Sequence, residues 1–457
     1  MLKDNTGAMK LYLESMGCAR NQVDSEIMAG QLAETGWSLT NDPAEADTIV
    51  VNTCSFIESA AQQSVDVILE LAKYKKRGTC SRLVVTGCLP ERYRQDITNS
   101  LPEVDVFLGT GAFDQIAAVL SRPQFSHQCL LPDPNTSALQ PKDAPRQLSL
   151  AHLAYLKIAE GCSKTCTYCI IPRLRGKQKS RRSEDILSEA RQLIAGGVKE
   201  LVLVAQDTTA YGRDLTTADN LSSLIGRLAV INGAAKTRTW FRVLYGHPES
   251  IEDSFVDAVA ACSNVCPYFD IPIQHASPAV LKRMGRNYNR DDLYRLFERI
   301  RTRVPDAVLR TTIIVGFPGE SDADFDMLLK FAEEVRFDHL GAFVYSDAED
   351  LPSHRLPDHI PAAVARDRYH ELMSLQVDIS SANNSRYIGR TVRVLVEESL
   401  EHHLYAGRTC FQAPEVDGIS YINTAKLPFP LKIGEFADMR VTDAMEYDLM
   451  GEALCTT

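Results

Sequence analysis

No apolar run in this chain approaches the ~20 residues that a membrane-spanning helix needs, so a helical membrane protein is not expected. The opening stretch "MLKDNTGAMKLYLESMG" lacks the long apolar segment of a secretory leader, and the expected location is the cytoplasm. There is no surplus of positive charge either. With 49 Lys and Arg against 60 Asp and Glu the net charge is -11, which argues against a protein that simply coats nucleic acid and favours neutral or basic partners. Internal repeats and low-complexity tracts are absent, so a solenoid or a disordered chain is not expected. Cysteine, by contrast, is plentiful. Twelve thiols in a chain of 457 residues do not suit a disulfide framework, which belongs to small secreted domains, and in a large cytosolic protein they are better read as metal ligands.

The length exceeds what one hydrophobic core usually supports, and the pattern changes along the chain mark three units. Residues 9–122 alternate strands such as "ADTIVVNTC" and "RLVVTGC" with amphipathic segments, which predicts a parallel α/β domain. Residues 123–147, rich in proline and polar residues, read as a linker. Residues 148–384 repeat strand and helix six times, through "AYLKIAEG", "ELVLVAQD", "WFRVLYGH", "YFDIPIQH", "VLRTTIIVGFPG" and "DHLGAFVYS", which predicts a complete or partial (βα)6 TIM-type barrel. A helix is expected to start at Ser183 with its hydroxyl as cap, and another at Ser321. Residues 385–455 carry short strands broken by glycine and proline, the pattern of a small all-β barrel.

The densest chemical signal is "GCSKTCTYCIIPRLRG", which sets Cys162, Cys166 and Cys169 in a C-x3-C-x2-C run. Structural zinc sites close with four protein ligands, whereas a 4Fe-4S cube held by three thiolates keeps one iron free for another ligand. A zinc loop completed by a distant cysteine or histidine is the alternative. The loop follows the first strand of the predicted barrel, at the carboxyl mouth where such barrels keep their chemistry. In the first domain three strand ends run into Cys18, Cys54 and Cys88, and a parallel sheet gathers such ends into one crevice. Three thiols packed as small hydrophobes are the alternative there.

The C-x3-C-x2-C run with Tyr168 before its last cysteine resembles the radical S-adenosylmethionine (SAM) superfamily. That resemblance implies that SAM chelates the free iron and is cleaved to a 5'-deoxyadenosyl radical. The segments "SMGCARNQVDSE", "VVNTCSFIESA" and "VVTGCLPERY" resemble the cluster domain of the methylthiotransferases. This implies that Cys18, Cys54 and Cys88 hold a second 4Fe-4S cluster. It also implies a radical SAM domain and a terminal TRAM barrel, with one SAM as methyl donor and another as radical source. "GCARN", "QDTTAYG", "DIPIQHAS" and "TDAMEYDLMG" are closer to the RimO type, which modifies the β-carbon of an aspartate in the twelfth protein of the small ribosomal subunit, than to the MiaB type, which modifies an adenosine in transfer RNA. Ala19 and Arg20 depart from the proline and lysine usual in the RimO type. An iron-sulfur electron carrier or a metal-stabilised RNA-binding protein is the reading from another class.

The terminal barrel is acidic: between Tyr387 and Glu452 six Lys or Arg stand against eleven Asp or Glu. It is therefore expected to dock a basic ribosomal protein, with direct RNA binding not primary. Gln206, Asp207, Gln274 and Gly316 sit where strands should open onto the barrel mouth and are expected to contact SAM, together with Tyr168. No side chain stands out as a catalytic acid or base, since the cofactors carry the chemistry. The reaction also calls for a reductant protein of the flavodoxin or ferredoxin type and a sulfur donor. The cation-rich stretch around Arg173, Arg175, Lys177, Lys179, Arg181 and Arg182 is read as a solvated loop with an arginine or two pinning the cluster loop, or as a phosphate-binding strip.

Overall fold

The computed structural model describes residues 9–121, 128–137, 139–140, 143–231 and 239–455. The first unit is a six-stranded parallel sheet in the order Trp37–Leu39, Met9–Ser15, Thr48–Thr53, Arg82–Gly87, Val106–Leu108, Gln128–Leu130. Its central strands read "TIVVNT" and "RLVVTG" and are buried almost throughout, as expected for parallel strands covered on both faces. The strand order reverses beside Met9–Ser15, so the crevice lies between the carboxyl ends of that strand and Thr48–Thr53. The last strand lies inside the stretch expected to be a linker. Residues 123–127, 138 and 141–142 of that stretch fall outside the described residues.

The second unit is an open barrel. Leu153–Lys157, Glu200–Val204 and Trp240–Val243 form one parallel sheet, Tyr268–Asp270, Val308–Val315 and His339–Val344 another, and a single bridge between Phe241 and Val265 joins them. All six predicted strands are present. Leu201 and Leu203 face the surrounding helices, while Val202 and Val204 face inward. Ser321 caps its helix as expected, accepting from the Asp324 N–H at 3.2 Å. Ser183 does not. It occupies the first turn of Ser183–Ala195, where its hydroxyl donates to Asp219 at 2.9 Å and accepts from Arg227, so a tertiary contact has taken the group that would have capped.

The helix Ala19–Glu34 joins the two units. Val23, Ile27 and Leu32 pack in one cluster with Leu11 and Val50 of the first sheet and with Leu153, Tyr155 and Val202 of the barrel. A helix covered on two sides has no solvent face, which explains buried Asn21, Asp24 and Glu26 on it.

The third unit is a closed barrel of Thr391–Glu401, Leu404–Thr409, Ser420–Asn423, Leu449–Ala453 and Phe436–Ala444, filled by Val394, Val396, Ile422, Met439 and Val441. Its loop at residues 409–417 enters the amino end of the large barrel. There Arg242 donates to the Cys410 carbonyl at 2.9 Å, Tyr268 to Asp417 at 2.5 Å, and Arg408 bridges Glu200 at 2.7 Å and Glu397 at 2.6 Å. The small barrel therefore sits at the end opposite the cysteine loop. Glu397, Glu415 and Asp417, counted above as part of its acidity, are directed into this junction.

Removing one member of a buried ionic cluster strands the others, so Arg408→Ala is expected to cost about 3–5 kcal/mol of stability in chemical denaturation. Burial opposes ionisation of Glu397, yet His152 at 3.4 Å and Arg408 hold its carboxyl down to about 2. That lies below the unfolded value of about 4.3, so this stabilisation is complete above that pH and is lost as pH falls toward 2. Thermal unfolding across that window should show the loss in the native chain and a smaller one in Glu397→Gln.

Candidate active site

Six cysteines from two units line one cavity of 370 Å³. Cys18 precedes the helix Ala19–Glu34, Cys54 follows the strand Thr48–Thr53, and Cys88 opens the short helix Cys88–Tyr93. Two glycines permit this convergence. At Gly17 (φ +90) a Cβ would lie 2.8 Å from the Cys54 Cβ, and at Gly87 (φ +94) it would lie 2.4 Å from Asn52 Oδ1, so both turns need a residue without a side chain. Ser64 ties down Cys54, donating to its carbonyl at 2.7 Å and accepting from its N–H at 3.2 Å.

The second trio sits on the loop after Leu153–Lys157, at the carboxyl end of the large barrel. The Cys162 N–H donates to the Gly176 carbonyl at 3.0 Å, the Thr167 N–H to Met284 at 3.1 Å, and the Ser353 N–H to Thr167 at 3.0 Å. A loop pinned at so many points presents its thiols in a fixed arrangement.

All twelve cysteines are free. Among the described residues no three His, Cys, Asp or Glu side chains close on one point as a single metal ion requires. The trios line a volume instead, as corner ligands of a cube would, because each thiolate there binds a different iron. Burial raises the thiols of Cys54 and Cys162 and pushes those of Cys88 and Cys169 up to about 12. At Cys18 burial acts in the same sense, but the Arg20 and Arg175 guanidinium groups outweigh it and lower the thiol. Thiolates that are costly in the bare protein are stabilised by binding a cationic iron core, so the donor set fits iron-sulfur ligation.

Of the residues expected to contact SAM, Tyr168, Gln206, Asp207 and Gln274 line the cavity. Tyr168 accepts from Arg286 at 3.2 and 2.5 Å. The Gln206 amide donates to Glu160 at 2.5 Å, and its carbonyl oxygen is buried with no partner, an open acceptor. Gln274 holds φ +68, a strained conformation for a residue with a side chain. Asp207 is occupied structurally, accepting from Thr209 at 2.7 Å and the Ala210 N–H at 3.1 Å. Gly316 is not among the lining residues. Its close approach is to the helix Ala362–Ser385, where an added Cβ would meet the Ala365 Cβ at 2.4 Å, so its small size serves packing.

Among the chamber residues that escaped the sequence reading are Arg20 in that role, Tyr245, His247 and Arg286. Burial, followed by the Arg286 charge, lowers His247 to about 2 and keeps it neutral at physiological pH. The position of Tyr245 and His247 directly after the third barrel strand was the available signal.

The cation-rich stretch is divided: Arg175 and Arg181 are buried, Lys179 is half-buried, and Arg173, Lys177 and Arg182 are exposed. Arg175 donates to Asp24 at 3.0 Å and Glu160 at 3.1 Å, Lys157 joins the same two carboxylates, and Arg181 pairs with Glu189 at 2.7 Å. Arg173 pairs with Asp350 at 3.2 Å, and Lys179 donates to the Ser137 carbonyl at 2.8 Å. Burial alone would raise the Glu160 carboxyl, but Arg175 and Lys157 hold it well below the carboxylate range.

A cysteine-bearing loop at the carboxyl mouth of an open six-stranded barrel defines a radical SAM protein, and residues 156–332 match the profile of the Radical SAM superfamily. Residues 10–109 match an uncharacterized protein family, UPF0004, and residues 388–454 match the TRAM domain. Over 446 residues the chain is 51% identical to the ribosomal protein uS12 methylthiotransferase RimO of Desulfosudis oleivorans, covering 97% of this chain and all of that one. It is 48% identical over 447 residues to the protein of the same name from Clostridioides difficile, with 98% and 99% covered. The chain belongs to the RimO family of methylthiotransferases. A solved structure of the radical SAM methyltransferase TsrM from Kitasatospora setae shares the fold, with TM-score 0.56, 13% identity and 76% and 77% of the two chains covered.

Arg175 carries the seam between the two cysteine-bearing units. Arg175→Met is expected to cost about 3–5 kcal/mol, since it leaves buried carboxylates short of a partner, and Arg175→Lys should recover only part because an ammonium cannot make the forked contact. Chemical denaturation of the iron-free chain measures both.

Proposed function

We propose that this chain attaches a methylthio group to the β-carbon of an aspartate in ribosomal protein uS12, using two 4Fe-4S clusters and SAM. The observation that carries the reading is the convergence of Cys18, Cys54 and Cys88 with Cys162, Cys166 and Cys169 on one cavity. A set of three thiolates would leave a coordination position open on each cluster, and both trios line the same space. Bound there, the clusters and SAM would supply the methyl group and the means of removing an unactivated hydrogen.

The chain's own residues position and enclose. Tyr168, Gln206 and Gln274 are assigned to SAM, with the unpaired Gln206 oxygen suited to an ammonium donor. The buried Asp24, Lys157, Glu160 and Arg175 group keeps the trios in register, and neutral His247 withholds a proton from the chamber. No residue is assigned as acid or base.

The substrate is a basic protein, and charge complementarity with the acidic TRAM unit supports contact there. Because that unit occupies the far end of the large barrel, a substrate touching both must extend along the flank. A flavodoxin- or ferredoxin-type reductant and a sulfur donor complete the set of partners, and the reaction belongs in the cytoplasm.

Anaerobic reconstitution should load about eight irons per chain, falling to about four in the Cys18→Ala, Cys54→Ala, Cys88→Ala triple variant. With SAM, reductant and sulfide, mass spectrometry of purified uS12 should show one methylthio group on one aspartate. Modification of transfer RNA with none on uS12, or stoichiometric zinc without SAM cleavage, would overturn the reading.

A further inference from the structure

The cations around the cavity differ in one respect. Arg175 is committed to Asp24 and Glu160, Lys164 pairs with Glu249 at 2.9 Å, and Arg286 is engaged by Tyr168 and His247. Arg20 makes one hydrogen bond among the described residues, from Nη1 to the Ala205 carbonyl at 2.9 Å, and no ion pair. Its remaining N–H groups are not among the buried atoms without a partner, so they keep access to the cavity that Arg20 lines.

This guanidinium is also mounted. It lies over the Tyr245 ring, 4.7 Å from the centroid. Tyr245 is held at φ +64, a conformation that a side-chain-bearing residue adopts only under constraint. The constraint is visible: the Tyr245 N–H donates to Asp270 at 2.9 Å, and its carbonyl accepts from Thr208 at 3.1 and 3.0 Å. Asp270 is in turn fixed by Arg310 at 2.9 Å. A buried network thus supports a ring whose evident task is to hold one unpaired cation at the cavity wall, two residues from Cys18.

We propose that Arg20 binds the side-chain carboxylate of the substrate aspartate and so sets both the choice of residue and the position of its β-carbon. The assignment rests on the uS12 reading above. A planar guanidinium with free N–H groups matches a carboxylate geometrically and is charged at every working pH. The β-carbon is one bond from the carboxylate carbon, so fixing the carboxylate at the cavity wall confines the carbon to be modified beside the Cys18 trio. An asparagine in the same place would lose the charge and place an amide against the cation. The carboxylate of SAM offers the same chemistry. We commit to the substrate because Arg20 belongs to the helix that begins at Cys18, whereas Tyr168 lies on the loop of the other trio and Gln206 donates to Glu160 at the start of that loop.

The probes are a synthetic peptide spanning the modified aspartate of uS12 and its asparagine counterpart, tested on the reconstituted holoenzyme for binding by fluorescence anisotropy and for kcat/KM. The native chain should favour the aspartate peptide by about 10²-fold. Arg20→Gln should bring that preference to within a few-fold while leaving the dissociation constant for SAM unchanged, with rates taken per iron-loaded chain because Arg20 also favours the Cys18 thiolate, and Arg20→Lys should retain an intermediate preference. Tyr245→Leu, which removes the platform and leaves the cation, should lower the preference as well. An equal loss on both peptides, or a weakened SAM affinity with the preference intact, overturns the assignment while the uS12 reading stands. Native enzyme that modifies neither peptide nor whole uS12 overturns both.

Discussion

The chamber exists because four charged side chains meet where water is excluded. Asp24 on the first unit and Lys157, Glu160 and Arg175 on the second neutralise one another at distances of 2.5–3.1 Å. Desolvating such a group is expensive, and the cost is offset only when all partners are present in good geometry. The arrangement is accordingly specific in a way that apolar packing is not. The helix Ala19–Glu34 can sit on the barrel in the one register that completes the set, and that register brings Cys18 to face Cys162, Cys166 and Cys169. Arg175 also reaches the Cys88 sulfur at 3.8 Å, so the group that joins the units is in contact with one of the thiols that line the cavity.

The same logic recurs at the opposite end of the barrel, where Arg242, Glu200, Arg408 and Glu397 form a second buried ionic cluster and the loop at 409–417 closes the strand ends. One charged seam sets the mouth and the other seals the base. The barrel between them is an open sheet of six strands whose halves are joined, among the described residues, by the bridge between Phe241 and Val265 and by hydrogen bonds from Tyr245 and Gly246 to Asp270, and the two seams brace it from both ends. This also changes the meaning of the acidity of the small barrel, since part of it is structural counter-charge for arginines of the large one.

Much of the site was legible because its signals are local. Three cysteines within eight positions single out one loop whatever the rest of the chain does, and a cysteine after each of three strands of a parallel sheet implies a common crevice. Less legible were features whose role depends on what packs against them. The Ser183 hydroxyl looked like a cap until Asp219 and Arg227 claimed it, and the sequence does not show that the close approach at Gly316 is to Ala365. The strand Gln128–Leu130 hid in a proline-rich stretch because three residues at a sheet edge leave almost no periodic trace.

Chain order and residue spacing by themselves determined the three units, the strand and helix alternation and the identity of the six thiols, since each follows from periodicity or from neighbours a few positions away. Tertiary structure alone decided which cations are spent and which is spare. Arg173, Arg175, Arg181 and Arg20 are chemically alike in a string of letters. Only the folded chain assigns carboxylates to the first three and leaves Arg20 on its tyrosine at the cavity wall, because ion pairing is settled by long-range contacts that sequence separation does not encode.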